Sequence, residues 1–119
     1  MATMPATATP MHVDNPFSLD PDRMRMHAED AATLLRSVGN PQRLLILCEL
    51  VEAEAGVGEL LQRLELSQSA LSQHLAVLRA AGLVRARREG VQVFYSWADG
   101  AVRPLMHTLH AIYCGGNQA

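Results

Sequence analysis

The chain has 119 residues, with ten basic side chains against twelve acidic ones and a net charge of −2; this is one domain's worth of sequence, with room for a modest core. A mildly acidic total argues against binding nucleic acid by bulk positive charge, and two cysteines outside any CxxC pattern exclude a disulfide-stapled scaffold and weaken any zinc-ribbon reading. No apolar run could span a bilayer, and Ala2 to Asn15 lacks both the basic start and the apolar centre of a signal peptide, so a cytoplasmic protein with no membrane partner is expected.

Residues 1–19 hold too few apolar side chains to fold back and are expected to form a disordered tail. The folded domain is expected over 20–115, with 116–119 as a short C-terminal tail. Asp20-Pro21-Asp22 supplies an N-cap, a proline at the first helical position and an acid in the first turn. The helix it starts should run to about Val38, with Met24, Ala28, Ala31, Leu35 and Val38 on one face. Gly39-Asn40-Pro41 ends it and opens a second helix to about Ala53. There Leu44, Leu47, Cys48 and Val51 form a stripe expected to be buried, widened by Leu45, Ile46 and Leu50, so this helix belongs at the centre of the core. Gly56-Val57-Gly58 reads as a turn, and Glu59 to Leu64 as a short helix with Leu60, Leu61 and Leu64 inward.

Leu66-Ser67 connects tightly to the most informative stretch, Ser67 to Arg79. Leu71, Leu75 and Leu78 recur at helical spacing as a buried stripe, with Ala70 and Val77 at its edges. The opposite side carries Ser69, Ser72, Gln73 and Ala76, short and uncharged where a solvated helix ordinarily shows Lys and Glu. Such a face suits close approach to the major groove, where Gln pairs bidentately with adenine and Ser serves as donor or acceptor. Ser67 is a good N-cap, and the helix start it caps favours a phosphate. An ordinary amphipathic helix with a polar outside is the plainer alternative.

The residues downstream of this helix support a groove-binding role. After the helix-ending Gly82, two β-rich runs, Leu83 to Arg88 and Val91 to Trp97, flank Glu89-Gly90 and read as a hairpin. Between Ser67 and Ala98 four arginines, Arg79, Arg85, Arg87 and Arg88, face one acid, a local +3, whereas the rest carries six arginines and eleven acids, a net −5. A locally basic module inside an acidic protein is compatible with DNA, with affinity falling as salt rises. Short helix, turn, recognition helix and basic hairpin together make a mainly α chain with a β-hairpin wing, a winged helix-turn-helix. The DNA-binding candidates are Gln68, Ser69, Ser72, Gln73, His74, Arg79, Arg87 and Arg88; Arg43 and Arg63 are either phosphate contacts or simply solvated.

Asp99 can cap a last helix from Gly100 to about Cys114, apolar at Val102, Leu105, Met106, Leu109, Ile112 and Tyr113. That stripe exceeds what one small domain covers, and a homodimer through the terminal helices is expected, as paired DNA half-sites require.

The stretch from Leu35 through Cys114 resembles the ArsR family of winged-helix repressors. Gly39-Asn40-Pro41-Gln42-Arg43-Leu44 is similar to the family's second-helix entry, Ser67 to Leu75 to its recognition helix, and Gly82-Leu83-Val84 with Arg87-Arg88-Glu89-Gly90 to its wing. The resemblance implies a dimeric repressor whose partner is double-stranded operator DNA. Many members bind metal through Cys-x-Cys in the third helix, but here Val57-Gly58-Glu59-Leu60-Leu61 has no thiol. Others use Asp and His on the last helix. His107 and His110 are present, but Asp99-Gly100-Ala101 lacks the expected imidazole. No resident metal or other cofactor is expected.

One cysteine in the second helix and one near the chain's end is a placement similar to the dithiol, persulfide-responsive branch of that family. That likeness implies that Cys48 and Cys114 of one subunit are joined by a disulfide or sulfur-bridged link when a small sulfur or oxidant inducer arrives, and that DNA is then released. Thiolate is the reacting species, and His110, four residues before Cys114, could favour it. The plainer readings are Cys48 as a small core residue and Cys114 as an idle thiol. A metal-responsive repressor using Cys48, Cys114 and His110 is the alternative sensor. A thiol oxidoreductase is disfavoured because the cysteines are not in CxxC and no cofactor motif is present. A protein-contact module is disfavoured because its face would show aromatic or aliphatic anchors rather than Ser and Gln.

Overall fold

The computed structural model describes residues 19–115, so the tail expected over residues 1–19, all but Leu19, and the tail expected over 116–119 lie outside the described residues. The elements are α1 (Pro21–Met26), α2 (Ala28–Val38), α3 (Pro41–Glu49), β1 (Ala55–Gly56), α4 (Val57–Arg63), α5 (Gln68–Ala80), β2 (Val84–Glu89), β3 (Gln92–Trp97) and α6 (Val102–Cys114). The described residues fall into two compact units, divided between Ala32 and Thr33.

In the first unit α1 begins as its sequence dictates, with Asp20 Oδ1 accepting from the N–H groups of Asp22 and Arg23 at 3.1 and 3.3 Å. The single helix expected as far as Val38 is instead two. His27 closes a tight bond back to the Met24 carbonyl at 3.0 Å, and its backbone (φ −111°, ψ 10°) leaves the helix. The apolar face expected along this stretch is mostly open: Met24 and Leu35 are exposed and Val38 alone is buried.

The second unit holds the core, built from Ile46, Leu47, Leu60, Leu71, Leu75, Leu78, Leu83 and Val102, all fully buried. Asn40 starts α3 by accepting from the N–H groups of Gln42 and Arg43 at 2.8 and 3.1 Å. The helix ends at Glu49, short of the expected Ala53, and of the expected stripe and its widening residues only Ile46, Leu47 and Leu50 are buried. Leu44 is half-buried, and Leu45, Cys48 and Val51 are exposed. The helix is apolar on nearly every side, so periodicity cannot say which side the core takes.

Where a turn is expected over Gly56-Val57-Gly58, Gly56 ends a short strand with Ala55, pairing antiparallel with β3 (Ala55 opposite Tyr95, Gly56 opposite Phe94). Val57 and Gly58 already belong to α4, two residues ahead of its expected start at Glu59. The sheet order is β1-β3-β2. A Cβ at Gly56 would stand 3.4 Å from the Phe94 ring, an ordinary van der Waals contact, so the pairing does not depend on glycine. Glu59 Oε1 accepts the Gly56 N–H at 2.8 Å at the start of α4, which buries Leu60 and Leu64 and half-buries Leu61.

Ser67 Oγ accepts the Ala70 N–H at 3.0 Å and opens α5, whose buried stripe is the expected Leu71, Leu75 and Leu78. Its end is a Schellman motif: the Gly82 N–H reaches the Arg79 carbonyl at 3.0 Å and the Leu83 N–H the Leu78 carbonyl at 2.9 Å, with Gly82 at φ +76°. β2 and β3 form the wing hairpin, with Glu89 opposite Gln92 and a two-residue Gly90-Val91 connection in which Gly90 takes φ +66°. The last helix starts at Val102, and Asp99 does not cap it; its carboxylate lies 3.7 Å from Arg85 instead.

Candidate nucleic-acid interface and thiol groove

The outer side of α5 presents Gln68, Ser69, Ser72, Gln73 and Ala76, all exposed. Gln68 and Ser72 of α5, the start of α4 from Gly56 to Glu59, and Val91, Gln92, Val93 and Phe94 of the wing line a concavity of about 600 Å³. Helix and wing thus converge on one hollow bearing amide and hydroxyl groups and the Glu59 carboxylate. Arg79, in the last turn of α5, and Arg88, on β2, are exposed and have no ion-pair partner among the described residues.

Two of the candidates stand differently from the rest. His74 is half-buried, with Nδ1 3.3 Å from Arg43 Nη1. Arg43 in turn donates from Nε to the Ser37 carbonyl at 2.5 Å and from Nη2 to the Arg36 carbonyl at 3.1 Å. Arg43 therefore satisfies the open end of α2 and meets α5 through His74, a structural task that sequence reading missed. Arg63 pairs with Glu49 at 3.4 Å. Arg87 is held on the wing by Glu54 and Glu89 and stacks over Phe94 at 4.8 Å. Hydrogen bonding to Arg87 holds the Glu54 carboxyl below the usual carboxylate range, and the same bond raises the already high Arg87 pKa.

The structure brings Cys48 on α3 and Cys114 at the end of α6 to one groove of about 510 Å³, with both thiols free and exposed. Cys48 is thus not the core residue of the plainer reading. Leu44, Val51, Trp97 and Met106 give the groove apolar walls, and His107 and His110 also line it. Burial pushes the Cys48 thiol pKa up, reinforced by the charges of Glu49 and then of Cys114. Among the described residues no three His, Cys, Asp or Glu side chains are grouped so as to hold a metal ion.

The sequence pattern of the bacterial regulatory protein, arsR family, matches residues 40–86. The transcriptional activator HlyU of Vibrio cholerae is 50% identical over 95 residues, covering 80% of this chain and 88% of HlyU. The chain belongs to the ArsR family. Reduced HlyU from Vibrio cholerae superimposes with a TM-score of 0.71 at 49% identity, over 77% of this chain and 97% of that one. The transcriptional repressor BigR from Xylella fastidiosa gives a TM-score of 0.73 at 38% identity, over 81% and 98%. As an ArsR-family member the chain is a winged-helix transcriptional regulator and not an enzyme. No described helix is long and apolar enough to cross a membrane.

Proposed function

We propose that two copies of this chain form a repressor that binds double-stranded operator DNA while its thiols are reduced, and releases it when Cys48 and Cys114 of one subunit become linked. The observation that carries the sensing half is the shared groove, in which the two cysteines of the chain lie 66 positions apart in sequence but line one cavity. The DNA half is supported by the exposed Ser and Gln face of α5 and by the exposed Arg79 and Arg88, which are unpaired among the described residues. Gln73 and Ser72 read base edges, and the arginines hold phosphates. Dimerisation is supported by the exposed Ile112 and Tyr113 on α6.

The chemistry balances with a low-molecular-weight hydropersulfide as oxidant. Cys114, exposed on the last turn, attacks the sulfane sulfur and becomes the persulfide as the donor leaves as its thiol. Cys48 then attacks the Cys114 sulfur, forming the disulfide and expelling hydrogen sulfide. Two thiol sulfurs are oxidised and one sulfane sulfur is reduced. A second equivalent of donor leaves one extra sulfur in the bridge, which tolerates a longer gap than a direct disulfide. Cys48, its thiolate disfavoured, is suited to the second step. A metal-responsive mechanism would need donors beyond those grouped in one described chain.

The test is anisotropy of a labelled fragment of the protein's own promoter, titrated with reduced, chelator-treated protein and again after glutathione persulfide. The expected result is tight binding that persulfide abolishes and dithiothreitol restores, with Cys48→Ser and Cys114→Ser indifferent to persulfide. Tight binding indifferent to persulfide in the unaltered protein would overturn the sensing half alone.

A further inference from the structure

Trp97 occupies an unusual position. It is the last residue of wing strand β3 and the one tryptophan of the chain. Its indole Nε1–H donates to the Leu47 carbonyl at 2.9 Å, a buried bond to the peptide joining Leu47 to Cys48 on α3. The Arg103 guanidinium of α6 lies over its ring, 5.1 Å from the centroid. Trp97 also lines the thiol groove. One side chain anchored in the wing therefore touches both helices that carry the cysteines.

Resting on the proposed dithiol reading, we infer that Trp97 is the positioning residue through which the state of the thiol groove reaches the DNA-binding wing. Linking Cys48 to Cys114 sets the relative placement of α3 and α6. The indole meets α3 at its edge and α6 at its face, so it holds both contacts for one relative placement of the helices. When that placement changes, one contact breaks or Trp97 moves. Trp97 pairs with Val84, and the ladder continues to Glu89 opposite Gln92, beside the hollow that faces α5. A hydrogen-bonded hairpin passes a shift at its base to its tip, because its ladder breaks if the strands move apart. Arg103 supplies the α6 side of the link through a cation–π contact.

The experiment bridges the thiols without relying on any natural inducer. Dibromobimane joins two cysteines as each thiolate displaces one bromide, with no change of oxidation state. Operator affinity is measured by anisotropy before and after bridging, in the unaltered protein, in Trp97→Phe and in Arg103→Gln. Phenylalanine keeps a ring under Arg103 but has no N–H for Leu47; Arg103 is exposed, so its replacement is safe for folding if Trp97→Phe is not. The expected result is that bridging weakens operator binding by about tenfold in the unaltered protein, within the usual span of coupling energies, and by less than about twofold in either variant. Reduced-state affinity should stay similar throughout, and Trp97 emission should shift on bridging. A merely structural tryptophan would lower affinity in both states and leave their ratio intact. Bridging that leaves the unaltered protein's affinity unchanged, or that weakens the variants as much as the unaltered protein, overturns the inference. A persulfide arm on the unaltered protein tests the dithiol reading separately, since bridging can act on DNA binding even where persulfide does not.

Discussion

Arg87 and Glu54 meet side by side across the sheet: Arg87 Nη2 donates to Glu54 Oε1 at 2.5 Å and Arg87 Nε to Glu54 Oε2 at 3.2 Å, while Nη1 reaches Glu89 at 3.2 Å. A wing arginine, the residue type expected to hold phosphate, is thus already occupied by two carboxylates. Charge there is offset before DNA arrives, so the wing's free positive charge rests on Arg88. The two-pronged geometry fixes the guanidinium against Phe94, whereas its half-exposed setting keeps the electrostatic gain modest.

Altering Arg88 and each side of the Arg87–Glu54 pair separates the two roles. Arg88→Ala is expected to weaken binding to all sequences alike and to flatten the salt dependence by about one unit of slope, as for loss of one phosphate contact. Arg87→Ala should flatten it less, and Glu54→Gln should steepen it by freeing a charge. Binding isotherms at several salt concentrations measure all three slopes.

Acid should act on the same contact. The folded pKa of Glu54 is depressed, so its share of wing stability is present above the unfolded pKa and is lost as pH falls through the lower folded value. Amide exchange in β2 and β3 should therefore lose protection in acid in the unaltered protein, with Glu54→Gln already less protected at neutral pH.

Gln73→Ala is expected to cost about 1–3 kcal/mol at one base position and little elsewhere, the signature of a base contact rather than a phosphate contact. A panel of operators varied one pair at a time measures this. Uniform weakening across the panel would place Gln73 on the backbone instead.

The elements that local chemistry specifies were legible: the Leu71, Leu75 and Leu78 stripe, the Ser67 cap, the glycine stop at Gly82 and the hairpin about Gly90 depend on neighbours within a few residues. The features that escaped reading depend on distant partners. β1 is two residues long and exists because it pairs with Phe94 and Tyr95; Glu54 finds Arg87 33 positions away, and Arg43 finds His74 31 away. Periodicity has no means of orienting α3, apolar almost all round, and so places Cys48 in the core rather than in the groove with Cys114.

Arg43→Ala should destabilise the protein through loss of its bonds to the Ser37 and Arg36 carbonyls. Both are charge-assisted; the one to Ser37 is partly buried and serves a carbonyl with no further helical turn to pair with, while the Arg36 carbonyl is exposed and also accepts the Gly39 N–H at 3.3 Å. The expected cost is about 1–3 kcal/mol, a fall of several degrees in Tm for a domain of this size. Arg36→Ala leaves the Arg36 backbone carbonyl in place and should cost far less. Thermal melts of the two variants side by side distinguish them.

Thiol reactivity should depend on pH with a sign set by the surroundings of Cys48. Burial and the Glu49 and Cys114 charges all disfavour its thiolate. Alkylation of Cys48 by iodoacetamide in Cys114→Ser should rise with pH to a midpoint above that of an ordinary thiol, because burial and Glu49 persist. Glu49→Gln should bring the midpoint down by removing a neighbouring negative charge. Arg63→Gln should move it up, since Arg63 offsets that charge from 3.4 Å. Mass spectrometry of timed, acid-quenched samples gives the three curves. A Cys48 midpoint below that of an ordinary thiol would reverse the order of attack proposed for the bridge, making Cys48 the first nucleophile and Cys114 the second.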